Sequence, residues 1–330
     1  MKKRILTGIT TTGTPHIGNY LGAIKPSLNL AQENSESFFF LADYHALIKA
    51  PDPQSIKASV KDIALAWLAS GLDVNQSFFY KQSDVQEITE LSWILTCITA
   101  KGLMNRAHAY KAATAENTTD DDKGINMGLF SYPILMASDI LIFNSTHVPV
   151  GPDQLQHLEM TRDIANRFNH LYKKTFNIPE AIIQDDGKVI PGLDGRKMSK
   201  TYNNIIPLLS DEKTLKKSIA KIVTNSLEPG EPKDPSGCNV FNLYSHFSNS
   251  DDQAEFKAAY SDGISWGDAK NKLFEKVNLE LGPIREKSLQ LQEDQNLIND
   301  LLDAGAAKVK PLASDMLGEV RELVGISKIG

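Results

Sequence analysis

Residues 4–7 read as a short strand that breaks into a glycine- and threonine-rich turn at residues 8–13. Helical spacing then begins at Ile17, Leu21, Ile24 and Leu28. A strand, a glycine turn and a helix in that order is how a crossover connection between parallel strands starts, which leaves few architectures open. The order repeats. Residues 37–41 (Ser-Phe-Phe-Phe-Leu) are nearly all apolar, as strands buried on both faces tend to be. Pro51 and Pro53 punctuate the following loop, and Val60, Ile63, Ala64, Trp67 and Leu68 recur at helical spacing within residues 55–70 until Gly71 stops the helix. Residues 77–81 give a third strand and residues 87–98 a further helix. The pattern predicts an α/β fold with a doubly wound, Rossmann-like parallel sheet.

Residues 114–124 form an acidic, polar break, expected to be a mobile surface loop or a solvated linker. Residues 127–144 are strongly apolar and helical around Pro133, residues 154–168 form an amphipathic helix, and residues 185–204 are loop-like with Gly187, Gly192 and Gly195. Strand signals fade from Asp211 onward. Helices are expected at 211–224, 239–248, 252–260, 267–291, 295–303 and 305–324. The 330 residues therefore divide into an α/β domain over 1–205 and an all-α second domain over 206–330, whose last helix can return to the first domain.

Composition excludes some functions. No stretch approaches the ~20 apolar residues that span a bilayer, and the run after Met1-Lys2-Lys3-Arg4 is too short for a secretory signal. Cys97 and Cys238 are far apart and form no C-x-x-C pair, so the expectation is a cytoplasmic protein with reduced thiols and no metal centre. The net charge of −6 argues mildly against a broadly basic surface, so a nucleic-acid partner would need a local patch.

Three segments carry chemistry. Thr10-Thr11-Thr12-Gly13-Thr14-Pro15-His16-Ile17-Gly18-Asn19 lies between the first strand and helix, where hydroxyls, glycines and a helix start can meet phosphate. It is neither a G-x-G-x-x-G fingerprint nor a P-loop, and by itself a plain turn is an equal reading. Lys197-Met198-Ser199-Lys200-Thr201 puts two ammonium groups around a small hydroxyl in a glycine-rich loop, which suits a polyphosphate whose charge changes during reaction. Asp139 sits in an apolar helix, so it is either paired with a cation or used. Met136 lies one turn earlier, where a thioether can pack on a flat ring or simply fill core.

Together the H-I-G-N turn and the K-M-S-K-T loop resemble, in order and separation, the two signatures of class I aminoacyl-tRNA synthetases. Residues 148–169, from Val148-Pro149-Val150-Gly151-Pro152-Asp153-Gln154 to Asn169, resemble the signature of the bacterial tryptophanyl-tRNA synthetase family. Residues 132–141 (Tyr-Pro-Ile-Leu-Met-Ala-Ser-Asp-Ile-Leu) resemble that family's side-chain pocket. An indole offers one N–H and no acceptor, so a carboxylate suits it, whereas tyrosyl enzymes are expected to show glutamine where Met136 stands.

The resemblance implies a cytoplasmic, homodimeric ligase that activates L-tryptophan with ATP, carried with Mg2+, and transfers it to tRNA(Trp), with no bound prosthetic group. It implies catalytic roles for His16, Asn19, Lys197, Ser199 and Lys200. ATP contacts are implied at Thr10, Thr11, Thr12, Gly18, Asn19, Gly151, Pro152, Asp153, Ile190, Lys197, Met198, Ser199, Lys200 and Thr201. Tryptophan contacts are implied at Asp139, Met136, Tyr132, Gln154 and His45. The sequence departs from the family where Thr10 replaces a glutamine, His16 a threonine and Thr201 the final serine of the lysine loop. Ala113 stands where a triphosphate-binding lysine is common, with Lys111 and Arg106 as candidate substitutes. Lys213, Lys216, Lys217 and Lys221 form either a phosphate track for tRNA or a solvated helix face. A tyrosyl enzyme and a non-catalytic tRNA-binding paralogue are the competing readings.

Overall fold

A computed structural model describes residues 3–31, 35–49, 52–117, 122–183, 189–294 and 296–327, with the Asp153 side chain also left out. Five strands, β1 (Arg4–Thr10), β2 (Glu36–Ala42), β3 (Ser77–Lys81), β4 (His147–Val150) and β5 (Glu180–Ile183), form one parallel sheet in the order β3-β2-β1-β4-β5. The strand order reverses between β1 and β4, which opens a crevice at their carboxyl ends. The α/β expectation holds.

Strand β2 shows why the sheet is two-sided. Ser37–Ala42 are all buried, and alternate residues enter different cores: Phe39 and Leu41 on one face, Phe38, Phe40 and Ala42 on the other. Each fully buried phenylalanine contributes roughly 1.5–3 kcal/mol.

The helices between the strands are α1 (Ile17–Asn19), which runs through a π-helical stretch at Tyr20–Ile24 into α2 (Lys25–Ala31), then α3 (Asp43–Ala46) and α4 (Pro53–Ala69). After β3 come α5 (Glu87–Ile98), α6 (Lys101–Met104), α7 (His108–Ala115) and α8 (Met127–Ile142), and α9 (Leu155–Leu171) joins β4 to β5. Helix α4 begins where the Asp52 carboxylate accepts the Ser55 amide at 3.0 Å and Pro53 occupies the first turn. Asn126 caps α8 through the Leu129 amide at 2.8 Å, and Pro133 sits inside that helix without ending it.

Beyond the sheet lie α10 (Glu212–Ala220), α11 (Asn239–Ser245), α12 (Ser250–Ser261), α13 (Trp266–Glu293) and α14 (Leu297–Val324). The first four share a core with α4 and one face of the sheet. Helix α14 packs on β3, α5 and α8. The expected break near residue 304 is absent: Gly305 lies inside one 28-residue helix. A Cβ on Gly305 would stand 1.7 Å from the Phe79 carbonyl oxygen, so glycine there serves close approach to β3, not helix termination.

The acidic segment is shorter than expected, because α7 runs to Ala115; residues 118–121 of it lie outside the described residues. Strands β4 and β5 add to the three expected from the sequence. Among the described residues no helix is long and apolar enough to cross a membrane.

Candidate functional site

The carboxyl ends of four strands carry the candidate residues. In the parallel register Thr10 of β1 stands beside Ala42 of β2, and the Thr11 hydroxyl donates to the Ala42 carbonyl at 3.3 Å. The turn after β1 and the start of α3 are thereby neighbours. Strand β3 leads into Gln82, and β4 into Gly151, Pro152 and Gln154.

The turn folds against the lysine loop. Gly13 has φ +63°, a conformation that favours glycine, and its amide donates to the Ser59 hydroxyl of α4 at 2.8 Å. The Lys200 ammonium donates to the Thr12 carbonyl, and its stem lies beside Gly13. Gly18 points its amide at the Met198 sulfur, 3.3 Å away. Backbone pairing completes the seam: the Ile17 amide reaches the Ile206 carbonyl at 3.0 Å, and the Leu208 amide reaches Pro15 at 3.0 Å.

His16 and Asn19 cap α1 reciprocally. The Asn19 amide donates to His16 Nδ1 at 3.3 Å, and the His16 amide donates to Asn19 Oδ1 at 3.1 Å. Burial, and secondarily the Lys200 charge, lower the His16 pKa to about 4, so the ring is neutral at pH 7. Burial also lowers the pKa of Lys200.

Within the loop, Ser199 caps the short turn Lys200–Tyr202, accepting the Thr201 amide at 3.3 Å. Buried Asn204 holds the loop from behind. It accepts the Ser199 amide at 2.8 Å and donates to Asp194 at 2.7 Å and to the Lys197 carbonyl at 3.1 Å. Lys197 and Thr201 are exposed, whereas Met198 is buried. Ile190 accepts the Met198 amide at 2.9 Å through its carbonyl and packs near Gly22.

A second group lies under the ends of β2 and β3. Asp139 of α8 is 1% exposed, and both its oxygens are engaged. Oδ1 accepts from Gln82 Nε2 at 2.8 Å, and Oδ2 pairs with His45 Nε2 at 2.9 Å. Burial raises the Asp139 pKa, while the His45 and Gln82 contacts pull it down. Tyr132 and Met136, one turn apart on α8, are half-buried. The Tyr132 ring meets His45 edge-on at 6.4 Å, and its hydroxyl hydrogen-bonds His157 Nε2 at 2.6 Å. Gln154 is exposed, and the Asp153 side chain lies outside the described residues.

The structure thus gathers Thr12, Gly13, Gly18, Met198 and Lys200 in one seam, and His45, Tyr132 and Asp139 in another cluster. Lys111 and Arg106 are exposed, and the Arg106 carbonyl accepts from Gln156 at 2.9 Å. Gln82, His157, Asn204 and Ser59 were given no role from sequence. Gln82 follows directly on β3, a carboxyl-end position in a parallel sheet, which is the one signal that could have marked it.

Chemically, the seam offers cations and backbone donors to an anion, and the cluster offers a buried carboxylate to a neutral donor. Residues 1–282 match the family model "tRNA synthetases class I (W and Y)", and the chain belongs to that family. Within it, a protein of Neisseria meningitidis named tryptophan–tRNA ligase is 54% identical over 98% of both chains. One of the same name from Pseudomonas aeruginosa is 53% identical over the whole of this chain and 75% of its own length. The crystal structure of tryptophanyl-tRNA synthetase from Campylobacter jejuni complexed with ADP and tryptophan superposes with a TM-score of 0.88 at 42% identity, covering 98% of this chain and 99% of the other.

Proposed function

We propose that the chain is a tryptophan–tRNA ligase. A tryptophan carboxylate oxygen attacks the α-phosphorus of ATP and pyrophosphate leaves. The terminal ribose hydroxyl of tRNA(Trp) then attacks the activated carbonyl and AMP leaves. The observation that carries this reading is Asp139: a buried carboxylate fixed by two side-chain donors, one helical turn from Met136. Such a group accepts an indole N–H, and the Met136 thioether beside it offers no donor to a phenol oxygen. Full-length identity above one half to proteins of that name supports it independently.

ATP binding at the β1–β4 crevice is supported by the likeness to the ADP complex from Campylobacter jejuni. In this reading Thr10, Thr11, Thr12, Gly18 and Asn19, with Gly151, Pro152, Asp153 and Ile190, hold the nucleotide. Lys197, Met198, Ser199, Lys200 and Thr201 hold the pyrophosphate portion, and Lys200 exchanges its Thr12 carbonyl for phosphate oxygens. Neutral His16 supports the turn through its cap. Mg2+ arrives with ATP; no cluster of metal ligands is found among the described residues. Tyr132, Gln154 and His45 line the amino-acid side, with His157 holding the Tyr132 hydroxyl.

Residues 1–205 act as the catalytic domain and 206–330 as the anticodon-reading part, with the exposed lysines of α10 and its end (Lys213, Lys216, Lys217 and Lys221) tracking tRNA phosphates. The resemblance to the family implies a second copy of the chain, and exposed Leu47, Trp93 of α5 and Met127 of α8 are apolar side chains that such a copy would cover. The site of action is the cytoplasm. The test is ATP–pyrophosphate exchange with each amino acid in turn: exchange with tryptophan and none with tyrosine is expected, and the reverse overturns the reading.

A further inference from the structure

The Asp139 carboxylate owes its placement to a side chain outside every motif of the chain. Gln82 is fully buried just beyond the carboxyl end of β3, and its amide spans two elements. The Nε2 group donates to Asp139 Oδ1 at 2.8 Å, and Oε1 accepts the Tyr44 backbone amide at 3.1 Å. A backbone N–H can only donate, so it fixes which end of the amide faces Asp139: the oxygen turns to Tyr44 and the NH2 to the acid. The backbone at this point is stitched as well. Asp43 accepts the Ser83 amide at 3.0 Å and the Tyr44 amide at 3.1 Å, so the ends of β2 and β3 move together. Tyr80, two residues earlier on β3, is fully buried with its hydroxyl unpartnered among the described residues, so it makes no hydrogen bond to Asp139 and Gln82 supplies the donor on this side. His45 serves the other oxygen, Oδ2, at 2.9 Å.

We infer that Gln82 is a positioning residue for amino-acid recognition, locking the Asp139 carboxylate as a fixed acceptor for the indole N–H. The inference rests on the reading of Asp139 given above. Each carboxylate oxygen has two lone pairs, so Asp139 can accept a third hydrogen bond while both present partners stay in place. A carboxylate tied on one side only can rotate about its terminal torsion, which is broad and shallow. Gln82 removes that freedom before any ligand arrives.

The experiment measures ATP–pyrophosphate exchange with tryptophan and with 3-(benzothienyl)alanine, which replaces the indole N–H by sulfur at nearly constant shape. Wild type should prefer tryptophan by about 100-fold in kcat/KM, as a site with a buried group left unpaired rejects the analogue. Gln82→Glu keeps the size and the acceptor for Tyr44 but sets oxygen against oxygen. It should lower kcat/KM for tryptophan about 50-fold, mostly through KM, and change the analogue less than about threefold. Gln82→Met, which removes the donor without adding charge, should cost about tenfold with the same asymmetry, and Gln82→Asn should restore part of the preference. Turnover of the analogue reports that each variant is folded. Parallel losses for both substrates, or an unchanged preference, would overturn the inference. A wild-type enzyme indifferent to the missing N–H would instead remove the role of Asp139 itself, and the inference with it.

Discussion

The Asp139 cluster and the lysine loop deploy charge in opposite ways. Asp139 is sealed, with one oxygen tied to Gln82 just beyond β3 and the other to α3. Lys197 is exposed, and Lys200 is half-buried with a bond to the Thr12 carbonyl. A ligand with a single N–H in a fixed place rewards an acceptor that is already immobile, because the ordering cost is met when the chain folds. A triphosphate that gains and sheds charge along its reaction rewards cations on long stems that can follow it. In the proposed reading the contrast separates selection from acceleration: one cluster would decide which amino acid enters, the other would lower the barrier.

The sharpest way to break this division is Asp139→Ala. The expected result is a loss of about 1000-fold in kcat/KM for tryptophan-dependent exchange, as befits removing one member of a buried charged network. Survival of most of the exchange would erase the distinction. Next in size, Lys197→Ala and Lys200→Ala should each lower exchange kcat about 100-fold while leaving tryptophan affinity, measured by calorimetry, within about twofold. A large change in tryptophan affinity would show that the loop also selects. Gly13→Ala sharpens the loop side. Its φ of +63° and the Lys200 Cδ atom 3.0 Å from the added methyl strain the turn, so thermal unfolding should detect a loss of about 1 kcal/mol together with a higher KM for ATP.

A further effect, visible only as pH falls, concerns His16. In the fold its pKa lies near 4, below the ~6.5 of an unfolded chain. Above about pH 6.5 the group is neutral in both states and costs nothing. As pH falls from there toward 4, the unfolded chain takes up the proton first and stability drops; below 4 both states are protonated and the slope ends. Urea titrations of wild type across this window should show about 1–2 kcal/mol more loss than His16→Asn, which keeps a capping acceptor and has no proton to gain.

Both poles of this comparison stood in the sequence as residue types in spacing: the turn at residues 10–19, the loop at 197–201, and an acid in an apolar helix. The three strands of the first half and the long helices were equally legible, because their periodicity is local. Strand β4 was hidden, since Pro149 in its middle removes a ladder donor and reads as a break. Strand β5 has four residues at the sheet edge, too few for a period to emerge. Gln82 and His157 were illegible as contributors for a different reason. Each acts on a partner far along the chain, 57 residues away for Gln82 and Asp139, and only tertiary packing brings them together. His16 and Asn19 entered as reaction groups; the structure adds a local task, closing the first turn of α1 on each other.

Helix α14 has a consequence for how the molecule is assembled. It lies along β3 at Gly305, and Arg321 pairs with Glu90 while Ser314 donates to Glu87 at 2.6 Å, spans of 231 and 227 residues. Until those late residues emerge from the ribosome, β3 is an uncapped border strand with free main-chain groups, open to stray pairing with another nascent chain. Slow closure of this lengthy loop is expected to make refolding from denaturant sensitive to protein concentration, and a chaperone that shields β3 during synthesis would raise the yield more than one acting afterwards.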